Sequence, residues 1–339
     1  AVTGSVVAVI GSDPVGYDGV QALTVNGRQG SDTFNVTTSA ATDIFIDGGD
    51  PIGPVGDTLN VTADVSVQFL PGPEGDEGGF IIDGSERLSY DHIEALSVSD
   101  SGAPGDLAVT VCGTNGDDDI TFEGTSVTAY TVSVNNGAAV QYTGSTTLLM
   151  CGLAGDDDID VGINVAGLGV AITVDGDAPT AGSDTLTVVG VDGIVDLPNW
   201  TPSAADAGSL ALFTLASPIT VIDTEHLIYD GENDSLPFAE LLNIIGSAGN
   251  DTIVHTPSND AVDSGSFSVT SSTLGTLLGI SYENLGLNST VVASGGGIAG
   301  APGDSLAGRG TASEDFITVV AGGAVSLFNA VGLHVPVAA

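Results

Sequence analysis

Apolar residues alternate with small polar residues along most of this chain. The run Leu23-Thr-Val25 is one example, and the run Ile172-Thr-Val174 is another. A period of two residues is that of a β-strand, because successive side chains point to opposite faces. Gly, Asp, Asn and Pro interrupt these short runs, and no long segment has a helical period. The pattern therefore predicts an all-β protein of short strands joined by tight turns.

The chain also contains a long internal repeat, in which the copies stand about 125 to 133 residues apart. The matching segments keep the same order, and they are 17–36 with 142–161, 47–61 with 175–188, 88–98 with 219–229, and 112–122 with 245–255. The repeat predicts three units, which are module 1 at 1–141, module 2 at 142–281 and a truncated third module at 282–339.

The repeated segments favour a β-solenoid of the parallel β-helix or β-roll kind. Each aligned segment has an apolar run before and after a Gly-Asp turn, as successive coils of a solenoid would have. Tandem β-sandwich domains are the alternative fold, because a module of this length is also an ordinary domain size.

Charge then limits the partners of the chain. It has 44 Asp and Glu against 3 Lys and Arg, and its formal net charge is −41. A protein without a basic face cannot replace the counterions of nucleic acid phosphates, and an anionic membrane surface repels it. No apolar run is long enough to span a membrane. Because 42% of the residues are hydrophobic, the chain is expected to fold, with bound cations or salt offsetting its self-repulsion.

Four turns share the pattern Gly-x-x-Gly-x-Asp-x-apolar, at 27–34, 113–120, 152–159 and 246–253. A degenerate fifth copy at 310–317 has Ser313 in place of the second glycine. These copies resemble the nonapeptide of the RTX, or haemolysin-type, calcium-binding proteins. The resemblance implies a β-roll whose Gly-rich turns present Asp carboxylates to Ca²⁺. The long repeat also resembles, more loosely, the arrays of secreted bacterial surface proteins and adhesins.

Calcium binds about 6 to 8 oxygen ligands, so one isolated turn cannot complete its coordination shell. Further ligands are expected from neighbouring coils, from water and from the second Gly-Asp segment of each module. The predicted calcium ligands are Asp32, Asp50, Asp57, Asp117, Asp118, Asp119, Asp156, Asp157, Asp158, Asp177, Asp184, Asp251, Asp304 and Asp315. Metal-free structural turns are the alternative, since Gly and Asp are common turn residues for reasons of backbone conformation alone.

The two cysteines, Cys112 and Cys151, occupy equivalent positions of the repeated turn, where other copies have Asn26 and Ile245. On adjacent coils, strands about 4.8 Å apart bring the two Cα atoms within disulfide range. If another coil intervenes, both residues are free thiols. A disulfide also suits an oxidising compartment.

These observations predict an extracellular or cell-surface structural protein that is not an enzyme. A β-helix enzyme that degrades polysaccharide is a weaker alternative, because acidic residues recur in every repeat, whereas a catalytic acid-base pair needs one cleft with two different environments. The apolar end segments 1–10 and 324–339 are expected to be exposed strand edges that pair between copies in a layer, sheath or fibre. An adhesin or carbohydrate-binding module that binds polysaccharide is the alternative, although aromatic residues make up only 5% of the chain.

Overall fold

The structure is a computed structural model. It describes residues 5–8, 13–38, 41–50, 56–84, 86–102, 105–177, 184–232, 240–259, 261, 263–286, 289–295, 304–309, 316–320, 324–328 and 337–338.

These residues form β-strands and no helix. The strands are β1 (Ser5–Val7), β2 (Val15–Tyr17), β3 (Ala22–Asn26), β4 (Thr33–Thr37), β5 (Asp43–Asp47), β6 (Thr58–Ala63), β7 (Ser66–Pro71), β8 (Gly78–Ile82), β9 (Glu86–Asp91), β10 (Ala95–Asp100), β11 (Ala108–Cys112), β12 (Asp119–Ser126), β13 (Ala129–Val134), β14 (Val140–Thr143), β15 (Thr147–Cys151), β16 (Asp158–Gly162), β17 (Ala171–Asp175), β18 (Thr185–Val189), β19 (Asn199–Pro202), β20 (Gly208–Ala211), β21 (Ile219–Ile222), β22 (His226–Asp230), β23 (Leu241–Ile245), β24 (Asp251–Pro257), β25 (Gly265–Ser271), β26 (Gly275–Thr276), β27 (Gly279–Glu283), β28 (Thr290–Ser294), β29 (Ser305–Gly308), β30 (Phe316–Val320), β31 (Ala324–Phe328) and β32 (Val337–Ala338).

Two large sheets contain nearly all of these strands. The 14-stranded sheet runs β29-β24-β25-β27-β22-β18-β16-β12-β13-β14-β10-β6-β4, with β26 beside β25. The 16-stranded sheet runs β3-β5-β9-β8-β7-β11-β15-β17-β21-β20-β19-β23-β28-β32-β31-β30. The strands β1 and β2 form a separate antiparallel pair.

The chain winds from one sheet to the other and back. For example, β15 and β17 pair in parallel in the 16-stranded sheet, while β16 and β18 pair in parallel in the 14-stranded sheet. The all-β prediction is confirmed, and two large, mostly parallel sheets with this winding are consistent with the predicted β-solenoid. The described residues include no helix that is long and apolar enough to cross a membrane.

Antiparallel meanders interrupt the parallel winding at regular places. The 16-stranded sheet contains the meanders β7-β8-β9 and β19-β20-β21, and the 14-stranded sheet contains β12-β13-β14 and β24-β25-β27. Each full copy of the sequence repeat thus contributes one of these meanders to each sheet, and the 16-stranded sheet has a further antiparallel set, β30-β31-β32. The predicted module boundary at 141 and 142 lies within β14, and the division into modules stays a prediction.

The core lies between the two sheets and is formed by every second residue of each strand. Leu148 and Met150 of β15, and Ile159 and Val161 of β16, are almost fully buried. Aromatic side chains fill the interior at the meanders. In one of them the ring centroid of Tyr130 lies 5.0 Å from that of Phe122 and 5.4 Å from that of Tyr142. The alternation of apolar and polar residues thus predicts both where the strand lies and which of its faces is buried.

The chain ends differ in part from the expectation of exposed strand edges. The strand β31 pairs with β30 on one side and with β32 on the other, so it lies inside the sheet. At the two ends of the sheets, the strands with one described partner are β3, β4, β29 and β30. The exposed edges therefore lie at other strands than 324–328.

Candidate functional site

The turns that lead from the 16-stranded sheet to the 14-stranded sheet lie at one edge of the solenoid, which we call the acidic edge. Each repeated turn carries an Asp immediately before the next strand or as its first residue. Asp57 and Asp157 are 0% exposed, and Asp184 and Asp251 are 1% exposed. Asp118 is also buried, Asp32 is half-buried, and Asp304 is exposed in the last described coil.

Where parallel coils follow one another, the carboxylate on one coil accepts a hydrogen bond from the backbone N–H of the corresponding Asp on the preceding coil. The Asp118 N–H donates to Asp157 Oδ1 at 2.8 Å, and the Asp157 N–H donates to Asp184 Oδ1 at 2.9 Å. The Asp184 N–H then donates to Glu225 Oε2 at 2.8 Å. We call this series, in all its copies, the carboxylate ladder. It ties neighbouring coils together through charge-assisted hydrogen bonds.

Two shorter series have the same geometry. In the first coils, the Asp32 N–H donates to Asp57 Oδ1 at 2.6 Å, and the Asp57 N–H donates to Glu94 Oε2 at 2.5 Å. Near the other end, the Asp251 N–H donates to Asp304 Oδ1 at 2.9 Å. Meanders separate the three series, because their hairpins occupy the acidic edge between the parallel coils.

The first position of each turn has room only for glycine, because a side chain there would collide with the carboxylate of the same turn. A Cβ added at Gly152 would lie 2.1 Å from Asp157 Oδ2, and one added at Gly113 would lie 2.5 Å from Asp118 Oδ2. Neither glycine has a positive φ angle, so the close approach of the carboxylate accounts for them and backbone conformation does not. The Gly-Asp pairing within one turn thus orients the carboxylate toward the adjacent coil.

The second oxygen of several ladder carboxylates is buried without a hydrogen bond. These atoms are the Oδ2 of Asp32, Asp57, Asp157, Asp184 and Asp251. Burial raises the pKa of Asp157 to about 6, although the Asp118 N–H lowers it, and nearby carboxylates raise it further. Burial likewise raises the pKa of Asp57, of Asp184 and of Glu225. The ladder therefore holds carboxyl groups whose ionisation is costly in the folded protein.

The ladder carboxylates are held by neighbouring groups of the protein, and calcium binding by them stays a prediction. Where a ladder carboxylate joins two coils, one oxygen accepts a backbone hydrogen bond, and at Asp157 and Asp184 the other faces a glycine Cα. Over the described ranges, no group of three or more His, Cys, Asp or Glu side chains is positioned to hold a metal ion.

The exposed acids of the same turns are arranged differently. Asp117 and Asp156 lie on adjacent coils, and the Asp156 N–H donates to Asp117 Oδ1 at 3.0 Å. Asp119 and Asp158 pair in register at the starts of β12 and β16 and point to solvent. Carboxylate oxygens are the ligands that calcium prefers, so calcium binding stays a prediction for these four residues.

The remaining predicted ligands lie apart from these rows. Asp50 joins the turn of the first coil through its backbone, since its N–H donates to Arg28 O at 2.6 Å. Asp177 is exposed, and its N–H donates to Asp175 Oδ1 at 3.0 Å. Asp315 lies outside the described residues.

Sequence reasoning missed Glu94 and Glu225, which end the series that begin at Asp32 and at Asp118. They occupy the same position in the repeated segments 88–98 and 219–229, and this coincidence is a signal that the alignment contains. It also missed Asp196 and Glu240 at the opposite edge, where the Asp196 N–H donates to Glu240 Oε1 at 3.0 Å. Those two acids are not part of the repeated Gly-Asp turns, so no sequence signal marks them.

A disulfide joins Cys112 to Cys151 beside the carboxylate ladder. The two residues are in register on β11 and β15, which are adjacent parallel strands, and their Cα atoms are 4.4 Å apart. No coil intervenes between them. The covalent bond therefore links the same two coils that the hydrogen bond from Asp118 to Asp157 links.

Comparison of the chain with known protein families, with curated proteins and with solved structures found no match.

Proposed function

We propose that this chain is an extracellular structural repeat protein that Ca²⁺ stabilises and that assembles with copies of itself. The observation that supports a structural role best is the carboxylate ladder, because the same Gly-Asp contact and the same inter-coil hydrogen bond recur from Asp32 to Asp304. Repetition of one stabilising contact is expected of a rod. Twelve strand spacings of about 4.8 Å give the 14-stranded sheet a length of roughly 60 Å.

Self-assembly is supported by the end of the solenoid where β3 and β4 lie. Each of these strands has one described neighbour, so one side of each backbone is unpaired. The core-facing residues Leu23, Val25, Phe34 and Val36 are only half-buried there. Unpaired strand edges above partly exposed apolar residues favour stacking of a second copy.

Assembly is tested by sedimentation velocity of the full chain in millimolar CaCl2. We expect oligomers or fibres, and we expect Leu23→Lys to reduce them, because it places a charge on the face that a second copy would cover. Thr24→Lys adds the same charge on the exposed, outward side of the same strand and is the matched control. Monomers alone in CaCl2, or equal effects of the two variants, would contradict assembly through this end.

The calcium component rests on the net charge of −41 and on the exposed rows Asp117 with Asp156 and Asp119 with Asp158. Cations that bind the folded state stabilise it by mass action. We expect a higher melting midpoint in CaCl2 than in EGTA, and a smaller rise in MgCl2 of equal ionic strength.

A variant with these four aspartates changed to asparagine should lose the calcium-specific rise. A control variant with Asp64→Asn and Asp192→Asn, two exposed acids away from the acidic edge, should keep it. An unchanged midpoint in CaCl2 and EGTA, with no calcium in metal analysis, would contradict calcium stabilisation. The absence of an enzymatic activity stays a prediction, based on the repetition of the acidic turns.

A further inference from the structure

The outer face of the 16-stranded sheet carries a groove at β5, β9 and β8. Its volume is about 490 Å³, which lies within the range of small-ligand sites. The hairpin between β7 and β8 forms one wall through Leu70 and Pro71, and Phe45 of β5 lies on the other side. The groove is open to solvent and not enclosed.

Strand register explains why a depression exists here. Phe45 is paired with Ser89, Ser89 with Gly79, and Gly79 with Leu70. Two small residues thus lie between two large apolar ones across four neighbouring strands. A Cβ added at Gly79 would lie 2.9 Å from Leu88 O, so a larger residue does not fit at the floor of the groove.

Positively and negatively charged side chains line the groove beside Phe45. Arg87 and Asp43 directly precede the paired residues Leu88 and Ile44, and Asp91 lies farther along the same strand as Arg87. Arg87 is exposed and is one of only three Lys and Arg residues in the sequence. Within the described ranges it forms no ion pair, although acidic residues line the same groove.

This combination suits a sugar ring. One face of a pyranose consists of C–H groups that pack on an aromatic ring, and its rim carries hydroxyl groups that both donate and accept hydrogen bonds. Arg87 supplies donors, and Asp43 and Asp91 supply charged acceptors, which make the stronger hydrogen bonds. An open groove admits a chain of such rings.

We propose that this groove binds a neutral polysaccharide. The lining includes three carboxylates, Asp43, Glu77 and Asp91, against the one cation Arg87, and the whole chain carries a charge of −41. An anionic polysaccharide is repelled by this field, whereas a neutral one is not. The groove is distinct from the surfaces of the assembly and calcium proposals, because its lining includes no residue of β3 or β4 and none of the acids named there.

The test is isothermal titration of the full chain with neutral hexasaccharides of glucose, mannose, galactose and xylose, and with a hexamer of galacturonic acid as the anionic probe. We expect at least one neutral probe to bind with a dissociation constant below about 1 mM, as 1 mM corresponds to about 4 kcal/mol of binding free energy. The galacturonic acid hexamer should bind at least tenfold more weakly.

Matched variants locate the binding. Phe45→Ala and Arg87→Gln should each weaken binding at least tenfold with an unchanged melting midpoint. Phe213→Ala removes a phenylalanine that is 77% exposed elsewhere, and Arg28→Gln removes another exposed arginine, so both should leave affinity unchanged. The proposal is overturned if no neutral probe binds, if the anionic probe binds best, or if Phe45→Ala binds as well as Phe213→Ala.

Discussion

Replacement of Gly113 by alanine tests how the Gly-Asp turns work. The added Cβ would lie 2.5 Å from Asp118 Oδ2 and 2.7 Å from its Cγ, so the carboxylate must move. In its present position this carboxylate accepts hydrogen bonds from the Thr114 N–H at 2.6 Å and from Asn135 Nδ2. Because Gly113 has no positive φ angle, the substitution introduces a steric conflict without backbone strain.

The expected cost follows from these hydrogen bonds. A hydrogen bond to a charged group contributes about 1.5–3 kcal/mol, and Asp118 is 4% exposed, so water replaces the lost partners poorly. Loss of two such bonds lowers the free energy of unfolding by about 3 kcal/mol.

Urea unfolding at equilibrium measures this change, with Gly116→Ala as the matched control. Gly116 belongs to the same turn, has no positive φ angle, and a Cβ added there meets nothing closer than Thr114 Oγ1 at 3.8 Å. The control should be neutral or more stable by about 0.5 kcal/mol, because alanine restricts the unfolded chain.

A double-mutant cycle identifies the cause of the loss. In an Asp118→Ala background the carboxylate is absent, so Gly113→Ala should cost less than about 1 kcal/mol. The steric explanation for Gly113 would be refuted if Gly113→Ala and Gly116→Ala lowered the free energy of unfolding equally. It would also be refuted if the effects of Gly113→Ala and Asp118→Ala were fully additive.

Two further predictions concern the disulfide and the buried acids. Replacing Cys112 and Cys151 by serine should lower the free energy of unfolding by about 4 kcal/mol, because the bond closes a loop with a sequence separation of 39. If reductant leaves the urea unfolding midpoint of the native protein unchanged, this prediction is contradicted. The raised pKa of Asp157, about 6 against an ordinary value of 3.8, means that the folded state binds its proton more tightly than the unfolded state. The contribution of Asp157 to stability should therefore fall by up to about 3 kcal/mol as the pH rises from below 4 to above 6, and Asp157→Asn should remove this contribution from the profile. Urea unfolding at pH 4 and pH 7 measures both effects, and an equal pH dependence in Asp157→Asn would exclude Asp157 as the source.

Much of the architecture follows from local pattern. The alternation in Leu148 and Met150, or in Ile159 and Val161, predicts both the strand and its buried face, and the repeat predicts that equivalent turns stack. The meanders were not predicted, although Asp83-Gly84 and Asn136-Gly137 are typical hairpin turn sequences. Such turns show that the chain reverses, but they do not show which sheet receives the extra strands.

Local pattern and composition are enough to predict that this protein is built of short strands, that its Gly-Asp turns recur in order, and that it is strongly acidic. These properties depend on neighbouring residues and on composition. Tertiary structure alone decided that Asp157 accepts the Asp118 N–H, that Glu225 ends the series, and that Cys112 meets Cys151. It also decided that Phe45 and Arg87 share a groove. These contacts join residues far apart in the chain, and their geometry depends on which coils are adjacent and on the strand register, neither of which a local pattern specifies.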